Sequence, residues 1–155
     1  MKHYGWLASP YTAKTRSYLK YIAVPFKDEE PSAWTMTRKI KPAVGRVIMP
    51  TVVLDDGTWL QDSSFIIDHF ENQKIYPSIH PPGASQKLAS YLFEVFADEW
   101  LPMVALHYRW NLEENKNFAL QDFARSGFPY LPRFLGKSLV ASMAKKWRVI
   151  FRFLV

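Results

Sequence analysis

A hydroxyl at the mouth of a helix is the first feature of this chain that could do chemistry. Ser9-Pro10-Tyr11-Thr12 follows the short apolar run Tyr4 to Leu7 and opens an amphipathic helical segment. A strand that feeds a helix in this way delivers its turn residues to unpaired backbone N–H groups and to the positive end of the helix dipole, and both favour an anion. A thiolate would be stabilised there. The chain contains no cysteine, so that thiolate cannot be its own and dithiol–disulfide exchange is excluded. Any thiol chemistry at this turn belongs to a bound ligand.

Other chemistries find less support. His3, His69, His80 and His107 are scattered without paired spacing and without cysteines to join them, so no metal site is expected. None of the six glycines sits in a phosphate-cradling loop, and nucleotide binding is not expected either. The net charge of +6 is confined to one end: Phe123 to Val155 holds seven Lys/Arg and no acidic residue. Within it, Ser138 to Leu154 reads as a basic amphipathic helix. Leu139, Met143, Trp147, Ile150, Phe151 and Leu154 fall on one side, and Lys145, Arg148 and Arg152 on the other. Packing in a helical bundle is the favoured reading, and contact with an anionic membrane or nucleic acid is the alternative. The expected partners are small molecules, with no nucleic acid and no stable membrane insertion.

The elements that must position Ser9 can be read from the pattern. His3 to Leu7 forms a short buried strand, and Tyr11, Tyr18, Leu19 and Ile22 recur at helical spacing behind Pro10, a residue suited to the first helical position. Phe26 to Glu29 gives a second strand, and Glu30 to Arg46, interrupted by Pro31, Pro42 and Gly45, reads as loop with one short helix. Val47 to Leu54 is apolar and β-branched, Asp55-Asp56-Gly57 signals a hairpin, and Thr58 to Gln61 supplies its partner strand. A helix follows, capped by Asp62 or Ser63, with Ile66, Ile67, Phe70 and Ile75 as its apolar stripe.

These elements make a βαβ unit, a connection, a hairpin and a helix, with Tyr76 to Ser85 as a Pro/Gly-rich linker. A first domain is therefore predicted over 1–80 and a helical one over 85–155. In the second, Leu88, Leu92, Phe96, Trp100 and Met103 follow helical spacing and Pro102 should kink or divide that helix. Further helices are predicted from Glu113 to Arg125 and from Ser138 to Leu154. A chain of 155 residues can bury a core of this kind. It shows no apolar run of the length of a secretion signal or membrane span, so a soluble cytoplasmic protein is expected.

Ser9-Pro10-Tyr11-Thr12 looks like the Cys-Pro-Tyr-Cys of glutaredoxin with both sulfurs replaced. Together with Met49-Pro50-Thr51 and Leu60-Gln61-Asp62-Ser63-Ser64, and in this order of elements, it resembles the thioredoxin-like N-terminal domain of glutathione transferases over roughly half the chain. The helical second half agrees with that family's all-α domain. The resemblance implies a cis proline at Pro50, with the Met49 backbone groups pairing the cysteinyl part of glutathione as an added strand would. It implies that Asp62 takes the γ-glutamyl ammonium and that Ser63, at a helix terminus, takes the α-carboxylate. Lys39 and Lys41 are ranked together for the glycyl carboxylate, with Arg46 also in reach.

On the same resemblance, Ser9 hydrogen-bonds the glutathione thiol and favours its ionised form for attack on an electrophile. Tyr4 is the alternative hydroxyl, and a helix cap without catalysis is the plain reading of Ser9. Tyr108 is the candidate for an acceptor-substrate contact. Glutathione is expected as substrate, no metal as cofactor, and a homodimer and a role in detoxification fit the family. The hydrophobic ending Phe151 to Val155 reads as a shortened helical domain, which opens an alternative function: a non-catalytic, glutathione-transferase-like interaction module.

Overall fold

The computed structural model describes residues 1–151, with side chains described through residue 144. The backbone forms two compact units, Met1–Asp98 and Glu99–Val155. In the first, strands β1 (Lys2–Tyr4), β2 (Lys27–Glu29), β3 (Thr51–Val53) and β4 (Trp59–Gln61) make one sheet in the order β2-β1-β3-β4. β1 and β2 are parallel across helix α1 (Pro10–Tyr21), whereas β3 is antiparallel to both β1 and β4. This is the predicted thioredoxin-like arrangement, with helix α4 (Ser63–Glu71) following the hairpin.

Strand alternation sorts the core onto the two faces of the sheet. Val52 and Leu60 pack with Tyr18, Leu19 and Ile22 of α1 and with Ile66, Ile67 and Phe70 of α4. Their neighbours Val53 and Trp59 turn the other way, toward Tyr4, Met36 and Ile40. Ile75 does not extend the stripe of α4: the helix ends at Glu71 and Ile75 is exposed.

The segment read as loop is mostly helical. It comprises α2 (Ala33–Thr35), a π-helical turn (Met36–Ile40) and α3 (Lys41–Val44). Its prolines lie where helices tolerate them. Pro31 precedes the Ser32 N-cap, and Pro42 occupies the opening of α3, where no intrahelical N–H is required. Gly45 then closes α3 at φ 82°, a left-handed conformation natural to glycine.

Helix α5 (Ala84–Val95) belongs to the first compact unit, although the linker signal lies before it. A π-helical turn (Phe96–Trp100) leads to α6 (Leu101–Asn111), which restarts around Pro102. The stripe Leu88, Leu92, Phe96, Trp100 is exposed. In the second unit α7 (Glu113–Gly127) begins with Glu113 and Glu114, whose charges suit the positive end of the helix. It packs on α8 (Arg133–Phe151), with Ala119, Leu120 and Ala124 of α7 and Val140 and Ala144 of α8 buried, while Phe123 meets the Trp110 ring of α6. Gly136 lets the two helices meet, since an added Cβ would lie 3.3 Å from the Ala124 methyl. α8 starts five residues earlier than predicted, and the expected division of Trp147, Ile150, Phe151 and Leu154 from Lys145, Arg148 and Arg152 lies outside the described side chains.

Candidate active site

Three candidate segments converge at one end of the strands of the sheet. Tyr4 pairs with Thr51, and Thr51 with Gln61, so the end of β1, the start of β3 and the end of β4 form one cross-strand row. Adjacent strands lie about 4.8 Å apart. The Ser9 loop leaves from the first position of that row, the Met49–Pro50 peptide enters at the second, and Asp62 and Ser63 leave from the third.

Ser9 is the N-cap of α1, with extended φ and ψ of −92° and 119°, and its hydroxyl oxygen accepts the Thr12 N–H at 3.3 Å. Accepting leaves the hydroxyl proton free to be donated elsewhere. The loop that carries Ser9 is pinned on two sides. The Trp6 ring N–H donates to the Pro31 carbonyl at 2.7 Å, and the Trp6 backbone N–H points to the Met49 sulfur at 3.3 Å.

The Met49–Pro50 bond is cis, as expected. Among the described residues, no backbone hydrogen bond within the chain engages the Met49 N–H or C=O. Asp62 holds φ 75°, a conformation few non-glycine residues adopt. Its Oδ1 caps α4 by accepting from Ser64 and Phe65 N–H at 3.0 and 3.3 Å. Ser63 is buried at the first position of that helix, where the backbone N–H has no intrahelical partner.

The remaining candidates are dispersed. Tyr4 is buried, stacked on Trp59 at 6.1 Å between ring centroids, and its hydroxyl accepts from the Lys39 ammonium at 2.9 Å. That hydrogen bond holds Lys39 above its ordinary pKa. Tyr4 and Lys39 thus occupy one another. Arg46 donates to Gln61 Oε1 at 3.0 Å, Lys41 is exposed on α3, and Tyr108 is exposed on α6 in the second unit. Among the described residues, no group of three His, Asp or Glu side chains is placed to hold a metal ion. Nor is any helix among them long and apolar enough to cross a membrane.

Two polar networks brace this end of the sheet, and the sequence reading missed both. The first joins α1 to α5. Lys14 Nζ lies 2.6 Å from both Glu94 and Asp98 carboxylates and 3.1 Å from Ser64 Oγ, beside Ser63. Burial opposes the charge on Lys14, but the two carboxylates outweigh it and raise its pKa. The Tyr11 hydroxyl donates to the Asp98 carbonyl at 2.6 Å. Pro102, four residues on, has no N–H to offer that carbonyl, so Tyr11 supplies what the proline removes.

The second network ties β1 to α1 and β2. His3 is fully buried, with Nδ1 2.7 Å from Asp28 Oδ1 and Nε2 2.8 Å from Thr15 Oγ1, while Arg16 pairs with the same Asp28. Burial holds the imidazole below its ordinary value of 6.5 despite Asp28. The neutral ring therefore donates from Nδ1 to a carboxylate that can only accept, and Nε2 takes the Thr15 hydroxyl. In the unfolded chain His3 titrates near that ordinary value, so on acidification the unfolded state binds a proton that the native state resists. Stability from this site falls as pH drops below about 6.5, toward the depressed native pKa. Replacing His3 with Gln removes the window. Wild-type unfolding midpoints should lose ground relative to His3→Gln between about pH 7 and about pH 5; a wild-type gain over that range would mean that the native imidazole is held charged, and a difference independent of pH that folding leaves its titration unchanged.

The sequence of residues 8–73 matches the family described as glutathione S-transferase, N-terminal domain. No curated protein matches the chain. Among solved structures it is similar to a glutathione transferase family member from Pseudomonas fluorescens Pf-5 with bound glutathione, at 21% identity and a TM-score of 0.56, covering 74% of this chain and 57% of that one. It is similar as well to a glutathione S-transferase from Methylobacterium radiotolerans in complex with glutathione sulfonate (22% identity, TM-score 0.59, 80% and 65% covered). A Tau class glutathione S-transferase from mango, Mangifera indica, gives 20% identity and a TM-score of 0.59, with 81% and 58% covered. The chain spans less than two thirds of the length of each of these structures. The family match falls on the segment that holds α1, the cis Met49–Pro50 peptide and the capped α4, and the solved structures share its fold.

Proposed function

We propose that this protein binds glutathione at this end of the sheet and activates its thiol for attack on an electrophile. The observation that carries the reading is the cross-strand row Tyr4–Thr51–Gln61, which gathers the open Met49 peptide groups, two helix N-termini and a hydroxyl around one place. The Met49 N–H and C=O are open to pair with the cysteinyl residue of a peptide ligand. Ser63 N–H and the α4 terminus suit the γ-glutamyl carboxylate, and the exposed Asp62 suits the ammonium beside it.

Lys41 is the better candidate for the glycyl carboxylate, since Lys39 is held by Tyr4 and Arg46 by Gln61. With the ligand so held, the Ser9 hydroxyl donates a hydrogen bond to the sulfur and favours the thiolate. The thiol proton passes to solvent, the sulfur lone pair forms a bond to an electrophilic carbon, and the displaced group leaves with its electron pair. The protein contributes activation and proximity.

A second reading, an interaction module without chemistry, is favoured by the two caps. Ser9 and Asp62 each complete a helix terminus through their own side chains, a structural role that needs no chemistry. Calorimetric titration with glutathione, with ultraviolet detection of thiolate in the same sample, separates the two. Saturable binding with thiolate present at neutral pH supports the transferase reading. Absence of binding at millimolar glutathione overturns it in favour of the module.

A further inference from the structure

The corner between α7 and α8, wholly within the second unit, holds an open cavity of about 770 Å³. Its lining brings together apolar and cationic side chains. Phe118 and Phe134 face it at 72% and 73% exposure, joined by Leu131 and Phe128. Large apolar groups gathered in one concavity mark a binding surface rather than scattered surface residues.

The charge around them is one-sided. Arg133 and Lys137 stand four residues apart at the start of α8, and therefore on one face of that helix. Among the described residues neither meets a carboxylate, and Lys137 Nζ donates to the neutral Asn117 side chain at 3.4 Å. Asp122, the acidic residue of the lining, is paired with Arg125 at 2.9 Å, which cancels both charges. No acidic residue follows Asp122 in the sequence. The cavity is left with two cations beside an apolar floor.

We infer that this cavity binds an amphipathic monoanion, a carboxylate on an aliphatic or aromatic body. The body lies on the phenylalanine rings, and the Arg133 fork and the Lys137 ammonium bracket the head, an arrangement that carboxylates satisfy in bidentate fashion. A small hydrated anion would leave the apolar floor unused, and a neutral amphiphile would leave the cations unpaired.

Calorimetry of the full chain with octanoate, acetate and octanol tests this. The expected result is saturable one-to-one binding of octanoate, weakened by added salt, with acetate and octanol each at least about tenfold weaker. An R133Q/K137Q variant should lose octanoate affinity by about tenfold or more with an unchanged circular dichroism spectrum, and Phe134→Ser should weaken octanoate while leaving acetate unaffected. Octanol binding as well as octanoate, acetate binding as well as octanoate, an unaffected double variant, or no saturable octanoate binding would each overturn the assignment.

Discussion

Gly5→Ala is expected to lose about 3 kcal/mol of stability, at the upper end of what overpacking a filled core costs. A Cβ at Gly5 would stand 2.2 Å from Thr12 Cγ2, 2.4 Å from its Oγ1 and 2.8 Å from its Cβ. Neither side can give way easily. Gly5 is buried at the end of β1 with its N–H bonded to the Glu29 carbonyl at 3.1 Å, and Thr12 is fully buried in the first turn of α1. Strand and helix touch at this point, and the touch sets where Ser9 stands relative to the sheet.

Adding Thr12→Gly removes all three clashing atoms. Alone, that change should cost about 1 kcal/mol or more, as a glycine within a helix does. In the Gly5→Ala background it should raise stability instead, a coupling of more than about 1 kcal/mol between the two sites. Denaturant midpoints of the four chains decide the matter. Additive losses would mean that the backbone accommodates the methyl by shifting, and that the glycine is not what sets the distance between β1 and α1.

What the sequence showed was what local chemistry writes. Ser9-Pro10 is an N-cap and first helical residue, Asp55-Asp56-Gly57 is a hairpin turn, and Asp62-Ser63 opens α4; each depends on a few adjacent residues, and each lies where the pattern put it. The segment 33–44 misled because proline was read as a breaker, whereas both prolines sit at helix starts. The supporting networks were not legible for a different reason. Lys14 and Glu94 are 80 residues apart in sequence, and no periodicity announces such a pairing. Half of one signal was present: Pro102 had to leave the Asp98 carbonyl short of a helical donor, though nothing in the pattern named Tyr11 as the replacement. His3 has no ligand-spaced partner in the sequence, and its buried place between Asp28 and Thr15 depends on β1 and β2 being parallel neighbours.

Ser9→Ala separates the chemical role of the hydroxyl from its structural one. The cap reading predicts a stability loss of about 1 kcal/mol, since alanine cannot accept the Thr12 N–H, and nothing more. The proposed activation adds a second effect. A free thiol titrates near 8.5, and ionising most of it at neutral pH requires lowering that value by about two units, or roughly 2.7 kcal/mol of preference for the thiolate. The α1 terminus supplies part of this through its N–H groups and dipole, at about 0.3–1 kcal/mol, and a hydrogen bond to a charged acceptor supplies about 1.5–3 kcal/mol. The hydroxyl therefore carries the larger share. In Ser9→Ala the pKa of bound glutathione should rise by at least about one unit, and the conjugation rate at neutral pH should fall by about threefold or more as the thiolate fraction drops, while glutathione affinity, held by groups at the other end of the row, changes little. Ser9→Thr should restore the thiolate along with the cap. A variant that loses only stability and keeps the thiol pKa would leave Ser9 as a cap and shift the activating role to the backbone N–H groups of α1.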